Sequence, residues 1–123
     1  MKMIKRLLFL DDIRYPVEAY HYTQQDIFLK GEWHIVRNYE QFVNRILEKG
    51  LPELISFDHD LADKQPSGQN SREAIEKTGY DCAKWLVEYC IDNHLDLPEF
   101  YCHSMNPVGK ENIICLLKNF KKL

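Results

Sequence analysis

An α/β fold is what this chain predicts: four parallel strands in one sheet, with helices packed on its faces as a three-layer domain. Two observations lead there. Short apolar runs of strand length alternate four times with longer stretches at helical spacing, the pattern of parallel strands joined by right-handed crossovers. Moreover, the residues able to do chemistry fall just after apolar runs, which in a parallel sheet is its carboxyl edge.

Arg6 to Leu10 is a short apolar run halted by Asp11-Asp12, a first buried strand. Tyr15-Pro16 opens a helix, since proline fits the first helical turn, and the mixed stretch from Val17 to Lys30 continues it until Gly31. Trp33 to Val36 is β-prone and makes the second strand. Asn38 caps a second helix whose stripe is Phe42, Val43, Ile46 and Leu47, stopped by Gly50 and Pro52. Leu54 to Phe57 is the third strand, followed by Asp58-His59-Asp60. In an extended chain alternate side chains share a side, so Asp58 and Asp60 are expected on one and His59 on the other.

The stretch 62–77 is polar and longer than most connections, which marks it as a lid over the acidic cluster or a mobile segment. Thr78-Gly79-Tyr80-Asp81 is a capping box, and Cys82, Trp85, Leu86, Tyr89 and Cys90 form the buried face of the helix it opens. Pro98 to Cys102 is the fourth strand, ending at His103-Ser104. Asn106-Pro107 starts the last helix, buried through Ile113, Ile114, Leu116, Leu117 and Phe120.

At 123 residues, 45% hydrophobic and 28% charged, the chain is an ordinary single globular domain, 1–123. A net charge of −3 argues against a general nucleic-acid-binding surface. The apolar run Leu7 to Leu10 is too short for a signal core or a membrane span. Cys82, Cys90, Cys102 and Cys115 lack zinc spacing and read as free thiols of a cytoplasmic protein. The oligomeric state is not encoded in these patterns.

Asp11, Asp12, Asp58 and Asp60 gathered in one cleft would hold Mg²⁺ or Mn²⁺, hard ions that take oxygen ligands. Facing them, the backbone N–H groups from Asn106 to Gly109 form a helix N-terminus suited to a phosphate. Gly109 would let a phosphate approach, and Ser104 would donate to it. Arg14 is the best placed of a set of cationic candidates that includes Arg37, Lys64, Arg72 and Lys110. Because an imidazole as a class titrates near neutrality, His59 and His103 are candidates to move protons; for His103 a core role, satisfied by a backbone carbonyl, competes evenly.

Leu10-Asp11-Asp12, an aspartate after the third strand and Ser104 after the fourth resemble the phosphoacceptor site of response-regulator receiver domains. That resemblance implies a flavodoxin-like fold, Mg²⁺ on Asp11 and Asp12, phosphorylation of Asp58, with Asp60 the second choice, and a phosphoryl contact from Ser104. The fifth strand of a receiver and its lysine are not matched, so the sheet reads as truncated. A closer resemblance is to the receiver-like cyclic-phosphate processing domains. It is carried by Leu-Asp-Asp-Ile-Arg at 10–14, Phe-Asp-His-Asp-Leu at 57–61, Thr-Gly-Tyr-Asp at 78–81 and His-Ser-Met-Asn-Pro-Val-Gly at 103–109. It implies binding, and hydrolysis, of a cyclic phosphate on a nucleotide or RNA end, a use for the extra histidines. The alternatives are a non-enzymatic phosphoacceptor or nucleotide sensor and, ranked last, a haloacid-dehalogenase-like phosphatase using Asp58 and Asp60.

Overall fold

A computed structural model of the chain describes residues 6–61 and 77–121. Its elements are β1 (Arg6–Leu10), α1 (Pro16–Thr23), a short 3-10 turn (Asp26–Leu29), β2 (Glu32–Val36), α2 (Tyr39–Lys49), β3 (Leu54–Phe57), α3 (Gly79–Asn93), β4 (Glu99–Cys102) and α4 (Pro107–Lys121). All strand pairs are parallel, in the order β2-β1-β3-β4. This is the expected receiver-like α/β sheet of four strands.

The helix starts follow from side-chain caps. Asn38 accepts from the Gln41 N–H at 2.8 Å, and Asp81 Oδ2 accepts from the Thr78 N–H at 2.8 Å. At α4, Asn106 Oδ1 accepts from the Gly109 N–H at 3.0 Å, with Pro107 at the first helical position. One expected helix is shorter than its spacing suggested. α1 stops at Thr23, whose hydroxyl donates to the Ala19 carbonyl and accepts from the Gln25 N–H. That side chain competes with the helix ladder. Gln24 takes a left-handed conformation (φ 60°), and the chain restarts as the 3-10 turn before Gly31. β4 begins at Glu99, one residue after Pro98, which has no N–H to give a ladder.

Alternation along the strands sorts the core into two faces. Leu8 and Leu10 of β1 with Ile55 and Phe57 of β3 pack against Phe42 and Ile46 of α2, Cys82 and Leu86 of α3, and Ile113 and Leu117 of α4. Phe9 points the other way, into Ala19 of α1 and Phe28 of the 3-10 turn, edged by Trp33, Ile35 and Tyr101. A strand covered on both faces is apolar at successive positions, which is why β1 reads Leu-Leu-Phe-Leu. Cys82, Cys90 and Cys102 are buried and Cys115 is exposed, none of them in a disulfide among the described residues. Among the described residues no helix is long and apolar enough to cross a membrane. The stretch read as a lid, 62–77, lies outside the described residues except for Lys77, and so do Lys64 and Arg72.

Candidate functional site

From β1 the chain crosses to β2 on one side of it, then to β3 on the other. The loops leaving β1 and β3 therefore diverge and open a crevice at the carboxyl edge. Ladder bonds run on past the strands and pin the loop starts. The Asp11 N–H donates to Val36 O at 3.1 Å, the Asp58 N–H to Leu10 O at 3.0 Å and the His103 N–H to Phe57 O at 3.0 Å. The crevice holds about 330 Å³ and is lined by Asp12, Ile13, Arg14, Asp58, Asp60, Met105 and Asn106.

Asp11 is fully buried beneath it. Its Oδ1 accepts from the N–H groups of Ile13 (3.0 Å) and Arg14 (2.8 Å). Its Oδ2 accepts from His103 Nε2 (3.0 Å) and Arg14 Nη1 (3.3 Å). Burial pushes the carboxyl up, but the bond from His103 and the two backbone N–H groups outweigh it and hold Asp11 well below the usual carboxylate range. An ionised Asp11 can only accept, so His103 carries its proton on Nε2. Burial keeps that ring neutral against the pull of Asp11. Its Nδ1 then accepts from the Ser56 hydroxyl at 2.7 Å. The imidazole stacks on Phe9 at 4.4 Å between centroids, and the Tyr22 hydroxyl donates to the His103 carbonyl at 2.6 Å.

His103 thus stands behind Asp11 rather than beside a ligand. With 0% exposure and both ring nitrogens bonded within the chain, it cannot exchange protons with a molecule in the crevice. Nor does a backbone carbonyl satisfy the ring; a serine and an aspartate do.

Asp58 is also buried but is less well met. Burial, then the nearby Asp11 charge, raise its carboxyl to about 6 against Arg14, its own backbone turn at His59 and a hydrogen bond from Ser104. Arg14 Nη1 lies 3.8 Å from Asp58 Oδ2, and the guanidinium also meets the Tyr22 ring and Met105 Sδ. Arg37, another cationic candidate, is used on the backbone instead. Its Nη1 donates to the carbonyls of Asp11 (3.0 Å) and Arg14 (2.7 Å), with the head group over Tyr15.

Three expectations are corrected on the far wall. β3 ends at Phe57; Asp58 and Asp60 both line the crevice, but Asp60 stands apart from the carboxylate group and His59 does not take the opposite side. Asp60 is exposed, and the His59 ring turns onto it with Nδ1 2.9 Å from Oδ1 instead of pointing away. Asn106 Nδ2 donates to the same carboxylate at 3.2 Å. Secondly, the space at Gly109 is taken by His59: a Cβ there would come within 2.3 Å of the ring. Gly109 makes room for an imidazole, not for a phosphate. Thirdly, the start of α4 is largely spoken for. The Asn106 N–H goes to Ser104 Oγ, Pro107 has none, and the Gly109 N–H goes to Asn106 Oδ1. An anion nest spanning Asn106 to Gly109 does not fit that arrangement.

What the structure does bring together is one oxygen each from Asp11, Asp12 and Asp58, all within 4.8 Å of one another. Three hard carboxylate oxygens at that spacing fit Mg²⁺ or Mn²⁺ and would not suit a thiophilic metal. Asp60 lines the crevice but stands outside this group. Sequence reasoning overlooked Ser56 and Tyr22; a lone hydroxyl inside an apolar strand was the only signal for Ser56. Gly79 has a tertiary reason beyond the capping box. Its N–H donates to His59 O at 2.7 Å, and a Cβ would strike the Asp58 carbonyl at 1.8 Å.

The family model described as the cyclic-phosphate processing receiver domain matches residues 6–119. No curated protein and no solved structure matches the chain.

Proposed function

The chain belongs to the family of cyclic-phosphate processing receiver domains, and on that premise we propose that it binds and hydrolyses a cyclic phosphate on a nucleotide or RNA end, with a divalent cation. The observation that carries this reading is the meeting of Asp11, Asp12 and Asp58 within 4.8 Å from loops far apart in the chain. These carboxylates would hold the ion, and Mg²⁺ or Mn²⁺ there would neutralise phosphate charge. A crevice of about 330 Å³ is sized for a small phosphorylated molecule.

The chain's own groups supply the rest. Arg14 binds phosphate oxygens through its fork of donors. Asn106 offers an amide donor at the opposite wall, and the Ser104 hydroxyl sits beside Asp58. Hydrolysis joins a water oxygen to phosphorus and breaks one phosphorus–oxygen ester bond, so the water's proton must leave and the departing oxygen must gain one. His59, whose Nδ1 is bonded to the crevice residue Asp60, is the imidazole we assign to carry it. His103 serves as the support of Asp11. Buried cysteines outside any disulfide, Cys82, Cys90 and Cys102, support a reducing, cytoplasmic setting.

One observation favours a second reading. Ser104 and Arg14 both stand at Asp58 and favour its charged form, which also suits a receiver-like phosphoacceptor aspartate. One experiment separates the two. The protein is incubated with Mn²⁺ and a panel of 2′,3′- and 3′,5′-cyclic nucleotides, and separately with acetyl phosphate. Ring opening that is lost in Asp58→Asn and strongly reduced in His59→Ala supports hydrolysis. A mass gain of one phosphoryl group with no ring opening supports the phosphoacceptor, and neither signal overturns both.

A further inference from the structure

A carboxylate has about four acceptor positions, two on each oxygen, and Asp11 uses them all. Oδ1 is filled by the backbone N–H groups of Ile13 and Arg14, the turn that shapes the loop. Oδ2 is filled by His103 Nε2 at 3.0 Å and by Arg14 Nη1 at 3.3 Å. The first three donors have nowhere to go. Two belong to backbone, and the third is on a fully buried ring stacked on Phe9 and held at its other nitrogen by Ser56. The fourth is different. It is the longest bond, and its side chain is 28% exposed, flexible and at the wall of the crevice.

A cation that reaches Asp11 therefore takes the position that the Arg14 guanidinium now holds. The same head group is the one 3.8 Å from Asp58 Oδ2, so both carboxylates give it up together. The guanidinium also lies over the Tyr22 ring, 5.6 Å from its centroid, and beside Met105 Sδ, so once released from the carboxylates it stays at the crevice wall with N–H donors to offer. The ring itself is anchored through its hydroxyl to the His103 carbonyl.

We infer that Arg14 couples the two halves of the ligand: it competes with the divalent cation for Asp11 and Asp58, and once displaced it grips the phosphate, so that cation and phosphate bind strongly together and weakly apart. This rests on the cation–phosphate reading above and adds to it an order of dependence between the two. Linkage makes the effect reciprocal, each ligand raising the other's affinity by the same factor.

The test is Mn²⁺ binding by the full chain, followed by electron paramagnetic resonance with and without inorganic phosphate. For the wild type, phosphate is expected to tighten Mn²⁺ about tenfold, within the usual span of such couplings. Arg14→Gln should bind Mn²⁺ more tightly than the wild type without phosphate, and phosphate should then add far less than the tenfold seen in the wild type. Arg14→Lys keeps the charge and guards against a misfolded glutamine variant; it should retain the weak Mn²⁺ binding of the wild type. If Arg14→Gln binds no tighter and still responds to phosphate, or if Arg14→Lys binds as tightly as Arg14→Gln, the coupling is overturned while the cation site stands. If neither wild type nor Arg14→Gln binds Mn²⁺, the cation site falls and the coupling with it.

Discussion

The loop after β1 and the loop after β3 each place a buried aspartate at the same crevice, and the two carboxyls titrate in opposite directions. Asp11 meets four donors, and His103 with the turn's N–H groups holds it low despite burial. Asp58 faces burial and the charge of Asp11 with fewer donors and is raised to about 6. Desolvation acts on both, so the number of fixed donors decides the outcome. Asp11 is a settled anion built into the fold, and Asp58 is an unsettled one that a cation would relieve. Sites of function commonly carry such an imbalance.

The largest effect should come from undoing the settled side. Asp11→Asn can accept at only one of its two terminal atoms, so its amide nitrogen must face donors. A loss of about 3 kcal/mol is expected, the scale of breaking a buried charged pair, read by urea unfolding at pH 7. A loss below about 1 kcal/mol would mean that the four donors do not distinguish Asp11 from Asp58 after all.

The opposite substitution should stabilise. Asp58 has a folded-state carboxyl raised from 3.8 to about 6, so ionising it costs the native state more than the unfolded one. Its contribution is thus most favourable below pH 4 and is lost as pH climbs through about 6. Asp58→Asn removes that cost and should gain about 2 kcal/mol at pH 7.5, from roughly two pKa units at about 1.4 kcal/mol each, less the bonds from Ser104 and Arg14. The gain should vanish near pH 4, where the wild type is already protonated at this position. A constant difference between the two proteins from pH 4 to 8 would contradict the assignment. Asp11, with its depressed carboxyl, works the other way: its contribution is complete above pH 4 and fades only in stronger acid.

The smallest effect sharpens the same contrast. Ser56→Ala leaves His103 Nδ1 without its donor and should cost about 1 kcal/mol. Because Ser56 reaches Asp11 through the ring, Ser56→Ala and Asp11→Asn should be non-additive in a double-mutant cycle. Ser56→Ala and Asp58→Asn should simply add. Equal coupling to both aspartates would show that the serine supports the loops generally and not Asp11 in particular.

Much of this was legible in the residues. β1 and β3 end where Asp11 and Asp58 interrupt apolar runs, and the caps at Asn38, Thr78 and Asn106 are visible as side chains of the right type before a helix. His59 was misplaced because alternation was carried beyond Phe57, where no ladder enforces it. Gly109 and the start of α4 were misread because their partners, His59 and Ser104, arrive through loop geometry rather than regular spacing. Arg37 looked like any surface cation, and only its two backbone carbonyls show it bracing the loop after β1.

Taken alone, the order of residues determined the alternation of strand and helix, the caps and the edge at which the chemistry collects. Periodicity and capping involve neighbours within a few positions, so they can be read without coordinates. Only the folded arrangement decided that His103 backs Asp11, that Arg14 spans two carboxylates, and that one of these is held ionised while the other is pushed toward neutrality. Those outcomes depend on burial and on distances between residues remote in the chain, and no local pattern carries either quantity.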